Sequence, residues 1–291
     1  MFLWDICLLI FGASVSVFLW SIVRTAAKSP QQLHPDDAYL SYHDIRLTRE
    51  DMQTLKNDWL TDNAQADVRR YLEREFLTQY KNSNIVLLRP SMSFMLLQTP
   101  DPRTLRDALP NFSRTTHVFL PINDCHNANE AEGGTHWSLL LISIVDGIAF
   151  HYDSLPPGNR WEAYQVTLKF SALLNRPIRF IHLDDSPIQE NSSDCGVFVC
   201  LSMRHLLLKR LLMANSNEKV SMSLGGKKID ASGGRKEIAK IIEGFRKEGQ
   251  RRRSGRVLIN LFAEAVQVRP GRSPEVLQGL NDQATPVAIF F

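Results

Sequence analysis

A chain of 291 residues holds one large domain with appendages or two small ones, and 44% hydrophobic with 22% charged residues is an ordinary globular composition. The net charge is only +3, yet Gly225 to Arg256 carries eleven Lys/Arg against four Asp/Glu, so the remainder is net acidic. Cys7, Cys125, Cys195 and Cys200 form no CxxC pair, and no His/Cys cluster has zinc-ligand spacing, which argues against a disulfide framework or a structural zinc site and for a reducing compartment.

Residues 1–28 form an apolar N-terminal segment. Its run from Ile6 to Val23 has 18 residues without a formal charge, the short limit for a membrane span. Asp5 precedes the run and Arg24 and Lys28 follow it, the reverse of a secretory signal, so an inserted segment would leave the next domain in the cytosol. Ser14, Ser16 and Gly12 weaken a span, and a non-native start to the reading frame is the alternative. Ser29 to Asp37 reads as a connector, and the globular part begins near Tyr39. Thr48 with Asp51 three residues on is an N-cap pattern. A second helix is expected after Trp59-Leu60-Thr61-Asp62, running to about Tyr80.

From His117 the pattern turns to strands: His117–Ile122, His136–Ile144 and Ile148–Tyr152, with a hairpin signal at Val145-Asp146-Gly147. The second run is nearly continuous in apolar residues, as expected of a central strand. Trp161–Leu174 reads as an amphipathic helix and Ile178–Leu183 as a fourth strand. A polar stretch, Gln189 to Asp194, stops at Cys195, where an apolar helix pattern runs to Met213. Helices flanking sequential strands predict an α+β domain over residues 39–213. Residues 214–291 read as a basic, partly disordered tail, with Arg235–Gly249 as a basic helix and Arg251-Arg252-Arg253 as a basic end, forming a solvated tail or a nuclear-import or polyanion-binding patch.

Cys195 at a helix start can be a structural cysteine opening a core helix, or a nucleophile whose thiolate is favoured by free N–H groups and the helix dipole. A nucleophile needs a base and the base needs an orienting group. The hairpin at Asp146-Gly147 brings the ends of two strands together, with His136 at the start of one and Asp153 just past the end of the other.

Gly133-Gly134-Thr135-His136-Trp137-Ser138, His151-Tyr152-Asp153-Ser154 and Gln189-x-Asn191-x-x-Asp194-Cys195-Gly196 resemble the three signature blocks of the sentrin/SUMO-specific proteases, which act on ubiquitin-like modifiers. Trp59-Leu60-x-Asp62 resembles a fourth, although Thr61 and Asn63 stand where Asn and His are more usual. The long loop from Phe119-Leu120-x-Ile122-Asn123-Asp124 to His136 is most similar to the deneddylating branch, since relatives acting on SUMO have a shorter approach.

The resemblance implies a papain-like α+β cysteine-protease fold with a central, mainly antiparallel sheet. It implies Cys195 as nucleophile, His136 as base, Asp153 as its orienting partner and Gln189 in the oxyanion hole. Trp59, Asp62, Trp137 and Asn191 would meet the substrate, the two tryptophans walling a slot for two glycines. It implies hydrolysis after the modifier's C-terminal diglycine without metal or cofactor. The expected partner is a Nedd-type modifier, with SUMO as the alternative, and its conjugates such as cullins. Expected too are a monomer with no need of nucleic acid, membrane contact through residues 6–23, and a cytoplasmic or nuclear location. The rival readings are an acyltransferase and an idle modifier-binding module on the same fold.

Overall fold

The computed structural model describes residues 34, 37–42, 45–127, 133–214 and 220–267. The apolar run 6–23, with its membrane reading, and residues 268–291 lie outside them. Among the described residues no helix is long and apolar enough to cross a membrane.

β1 (Ala38–Tyr42) and β2 (Ile45–Thr48) form an antiparallel ribbon that feeds α1 (Arg49–Asn57). The capping box is complete: Thr48 Oγ1 accepts from the Asp51 N–H at 3.1 Å, and Asp51 Oδ2 accepts from the Thr48 N–H at 2.7 Å. α2 (Asp62–Glu75) is capped by Thr61, whose hydroxyl accepts from the Ala64 N–H. It stops short of the expected Tyr80, which is preceded by a 3-10 turn at Leu77–Gln79.

The sheet runs in the order β3 (Ile85–Leu87), β4 (His117–Asn123), β5 (Trp137–Ser143), β6 (Ile148–Tyr152), β7 (Arg179–His182). Only its middle is antiparallel, where β5 pairs with β4 and β6; β3–β4 and β6–β7 are parallel. The mainly antiparallel sheet expected from sequence is therefore a mixed one. The reason lies in the connections. Each edge strand is separated from its neighbour by a helix, α3 (Pro90–Gln98) on one side and α4 (Arg160–Leu174) on the other, and a crossover of that length returns the chain in the same direction.

Strand geometry sends alternate side chains to opposite faces. In β5, Leu139 and Leu141 meet one core with α2 and α5 (Cys195–His205), while Leu140 and Ile142 meet another with α3 and α4. Burial on both faces explains why β5 reads as an unbroken apolar run. Past α5 the chain continues as a π-helical turn, Leu206–Leu211.

The boundary expected at residue 213 does not hold as a packing boundary. α6 (Ala231–Gln267) places Ile238, Ile242 and Phe245 in the same core as Leu40 and Tyr42. Their spacing of four and three residues puts them on one helical face, and Lys236, Lys240 and Lys247 on the same helix are exposed. Phe245 stacks on Tyr42 at 5.2 Å between ring centroids, and Arg74 of α2 forms a bidentate pair with Glu248 at 2.6 and 3.0 Å. The basic composition of this stretch belongs to the outer face of an amphipathic helix, not to a solvated tail.

Candidate active site

The β5–β6 register pairs Leu139 with Tyr152. His136 is three residues before the first and Asp153 one residue after the second, so the hairpin delivers both to the same end of the sheet. His136 Nε2 lies 2.6 Å from Asp153 Oδ1, and both side chains are buried. The other ring nitrogen is left for Cys195, which adds to the forces that raise the imidazole's pKa. Cys195 is the first residue of α5 and only 1% exposed. Its backbone N–H is among those a helix leaves unsatisfied at its N-terminus.

Neighbouring groups set the rigidity of this arrangement. The His136 N–H donates to Asp124 Oδ1 at 3.0 Å, and Asp124 also accepts from the Thr135 N–H and hydroxyl. The His136 carbonyl accepts from Asn123 and from Asn159 Nδ2. Asp153 accepts from the Leu155 N–H on one oxygen and the Asn159 N–H on the other, both at 2.9 Å. Asn159 thus ties the base to its carboxylate from both sides. Gly158 stands against them: a Cβ there would lie 2.5 Å from Asp153 Oδ2 and 2.8 Å from His136 Cδ2. Neither residue stood out in the sequence, because Asn-Gly content in a turn is ordinary turn chemistry.

Burial alone would lower the His136 pKa, but the hydrogen bond to Asp153, then that to Cys195, hold it up at about 9. For Asp153, burial alone would raise the pKa, and the His136 hydrogen bond and charge bring it below the usual 3.8. Stability linked to His136 is therefore fully present below its ordinary 6.5 and lost as the pH rises through about 9. Stability linked to Asp153 is present above 3.8 and lost as the pH falls through its depressed value. We expect the denaturation midpoint of the wild type to exceed that of His136→Asn most between pH 4 and 6.5, as read from the two values above, with the gap narrowing toward pH 9. A gap that widens over that rise would refute the charged pair.

Gln189 comes from the loop before α5. Its Oε1 accepts from the Ser154 hydroxyl at 2.6 Å, which turns the amide nitrogen toward the cysteine loop. One N–H of that nitrogen goes to the Asn191 carbonyl at 2.6 Å, in the loop that leads into Cys195. Ser154, unremarked in the sequence beyond its place beside Asp153, is thus the residue that orients Gln189. Ser154→Ala should lower kcat about tenfold with KM little changed, the size of one lost hydrogen bond. A steady-state comparison showing unchanged kcat would remove Ser154 from that role.

The other residues singled out in the sequence separate. Trp137 is half-buried directly after His136. Trp59 is 42% exposed, and the Leu60 that follows it lies on Gly196, where an added Cβ would meet Leu60 Cβ at 2.8 Å. The Trp59 block and the Cys195 block are therefore in contact. Asp62 is exposed at the first turn of α2. Asn191, expected at the substrate, is exposed and holds its own turn: Oδ1 accepts from the Ser193 and Asp194 N–H groups and Nδ2 donates to Asp194. That is an Asx turn, the usual way an Asn side chain fixes local backbone. No group of three or more His, Cys, Asp and Glu side chains suited to a metal is present among the described residues.

A buried thiol, an imidazole paired with a buried carboxylate, and donors at a helix N-terminus are the parts needed to add a thiolate to a carbonyl, stabilise the oxyanion and protonate the leaving group. Residues 58–222 match the family described as "Ulp1 protease family, C-terminal catalytic domain". Among characterised proteins, the chain is 32% identical over 209 residues to NEDD8-specific protease 2 of Schizosaccharomyces pombe, covering 70% of this chain and 50% of that protein. It is 35% identical over 174 residues to NEDD8-specific protease 1 of Arabidopsis thaliana, covering 58% of this chain and 75% of that one. The chain thus spans about half the length of the Schizosaccharomyces relative. Among solved structures, the Ulp1 protease domain in complex with Smt3, the yeast ortholog of SUMO, superposes with a TM-score of 0.51 at 18% identity, covering 74% of this chain and 89% of that chain. This likeness shows the same fold. With the family match across more than half of its length, the chain belongs to the Ulp1 protease family.

Proposed function

We propose that this protein is a cysteine protease that cuts the peptide or isopeptide bond after the C-terminal diglycine of a ubiquitin-like modifier of the NEDD8 type. The observation that carries the reading is the buried Cys195–His136–Asp153 chain, with 2.6 Å between the imidazole and the carboxylate. With the proton already on His136, in an ion pair, Cys195 adds to the glycine carbonyl as a thiolate. The Cys195 backbone N–H and the remaining Gln189 N–H hold the oxyanion; a single such donor is typically worth about 10²–10³ in rate. His136 then protonates the leaving amine, and water releases the modifier from the thioester by the reverse of the same proton path. Asp153 orients the imidazole and stabilises its charged form.

The names of the similar proteins support NEDD8 over SUMO. Conjugates such as cullins are the proposed substrates, acted on by a monomer in the cytoplasm or nucleus. The cationic flank after residues 6–23 supports a catalytic domain that faces the cytosol if that run enters a membrane. Trp59 and Trp137 are proposed to wall the slot for the two glycines, and Asp62 to meet the modifier's surface. The test is a side-by-side measurement of kcat/KM on NEDD8, SUMO and ubiquitin fusions. NEDD8 should be cut fastest, and a Gly→Ala change in its tail should block cleavage. A preference for SUMO would overturn the modifier assignment and leave the protease standing; no cleavage of any fusion would overturn both.

A further inference from the structure

α6 begins nine residues beyond the stretch matched to the family, yet it reaches the backbone just ahead of Cys195. Arg235, only 6% exposed, donates from Nε to Asp194 Oδ1 at 2.8 Å, and its Nη2 lies 2.7 Å from the same oxygen. Nη2 also donates to the Ser193 carbonyl at 3.0 Å, and Nη1 to the Thr54 carbonyl near the end of α1 at 2.9 Å. One guanidinium thus joins α1, α6 and the two residues before the thiol. Asp194 is the N-cap of α5, but its side chain makes no capping hydrogen bond to that helix. The usual task of an N-cap aspartate is given up. One carboxylate oxygen instead takes Arg235 and the other takes Asn191 Nδ2 at 2.8 Å.

The approach of α6 is itself built in. A Cβ on Gly234 would lie 2.6 Å from Leu201 Cδ1 and 2.9 Å from Val197 Cγ1, both on α5. A glycine there lets the helix come close enough for the next residue, Arg235, to reach Asp194. The side chains of Asp194 and Arg235 are 13% and 7% exposed, so removing one partner leaves a charge in a dry place. That charge would be the Asp194 carboxylate, adjacent in sequence to a thiolate and an oxyanion whose formation it opposes.

We infer that Arg235 is a positioning residue for the nucleophile: through Asp194 and the Ser193 carbonyl it holds the N-terminal tip of α5 in place and neutralises the carboxylate that immediately precedes Cys195. The C-terminal helix is then part of the active-site scaffold and not an appendage. The inference rests on the reading of Cys195 as nucleophile, and on no particular modifier.

The experiment uses the full chain with Arg235→Gln, Arg235→Lys and the double variant Asp194→Asn/Arg235→Gln. Two readouts are taken on protein whose fold is checked by circular dichroism: kcat and KM on the fastest-cut modifier fusion, and the rate of Cys195 alkylation by iodoacetamide. Arg235→Gln should lower kcat about 10²-fold, the cost of a small misplacement of a reacting group, with KM nearly unchanged and alkylation slowed. Arg235→Lys keeps the charge without the planar fork and should recover part of kcat. The double variant leaves no unpaired charge; it should alkylate faster than Arg235→Gln while kcat stays below wild type. If Arg235→Gln does not fold, the double variant and Arg235→Lys decide, and wild-type kcat in the double variant overturns the inference. Raised KM at unchanged kcat also overturns it, because Arg235 would then be a modifier-binding residue. Alkylation requires no modifier, so an error in the modifier assignment leaves this test readable.

Discussion

Cys195→Ala should abolish turnover, by about 10⁶-fold in kcat, the loss seen when a covalent nucleophile is removed from an assembled triad. The fold should survive, because the change only trims one atom at the tip of α5 and the remaining core of that helix is untouched. Binding of the modifier should survive too, since the proposed slot of Trp59 and Trp137 is untouched. Cys200 is the internal control. It is fully buried further along the same helix, and desolvation pushes its thiol up to about 12. Mass-spectrometric mapping of iodoacetamide labelling on the native protein should therefore find Cys195 modified long before Cys200. Residual turnover above a hundredth of wild type in Cys195→Ala, or labelling confined to Cys200, would mean that the nucleophile lies elsewhere.

Gly158→Ala should be almost as damaging without touching a reacting group. The added methyl would stand 2.5 Å from Asp153 Oδ2, 2.8 Å from His136 Cδ2 and 2.8 Å from the Leu155 carbonyl. None of these atoms is the far end of a flexible chain. Asp153 is pinned by the Leu155 and Asn159 N–H groups, and the His136 backbone is pinned by Asp124, Asn123 and Asn159. The strain is relieved by parting the imidazole from the carboxylate, which removes its orienting partner; losing that partner's control alone costs about 10⁴ in kcat in a triad of this kind. The downfield proton resonance of the His–Asp hydrogen bond should disappear along with the activity, with KM changed much less than kcat. Turnover within tenfold of wild type, with the resonance retained, would show that the 155–159 loop moves aside at no cost to the site.

Several parts of this architecture were legible in the sequence because they depend on local chemistry. Thr48 with Asp51 specified a capping box, and Asp146-Gly147 specified the turn that sets the β5–β6 register. The apolar run through Leu139–Ile142 specified a strand buried on both faces, and the break from polar to apolar at Cys195 specified a helix start. The pairing of His136 with Asp153 follows from that register. The motif blocks added the identity of the groups and their order.

Other parts depend on what lies opposite, and no local pattern carries that. The parallel edges of the sheet follow from where α3 and α4 send the chain. Asn191 matched a motif position, yet its side chain serves the turn that carries Cys195. Ser154, Gly158 and Asn159 matter through partners 35, 5 and 23 residues away, namely Gln189, Asp153 and His136.

The sequence by itself determined where the helices and strands start, which cysteine opens a helix, and which histidine and aspartate a hairpin brings to one end of a sheet, because caps, turns and periodicity act over a few residues. That residues 231–253 pack as part of the domain and not as a tail follows from long-range packing. A long basic helix and a solvated tail have the same composition, and the difference lies in three apolar side chains, Ile238, Ile242 and Phe245, finding a core whose other half is Leu40, Tyr42 and α2. The same docking brings Arg235 across 41 residues of chain to Asp194, a contact set by the packing of two helices and by no feature of the sequence between them.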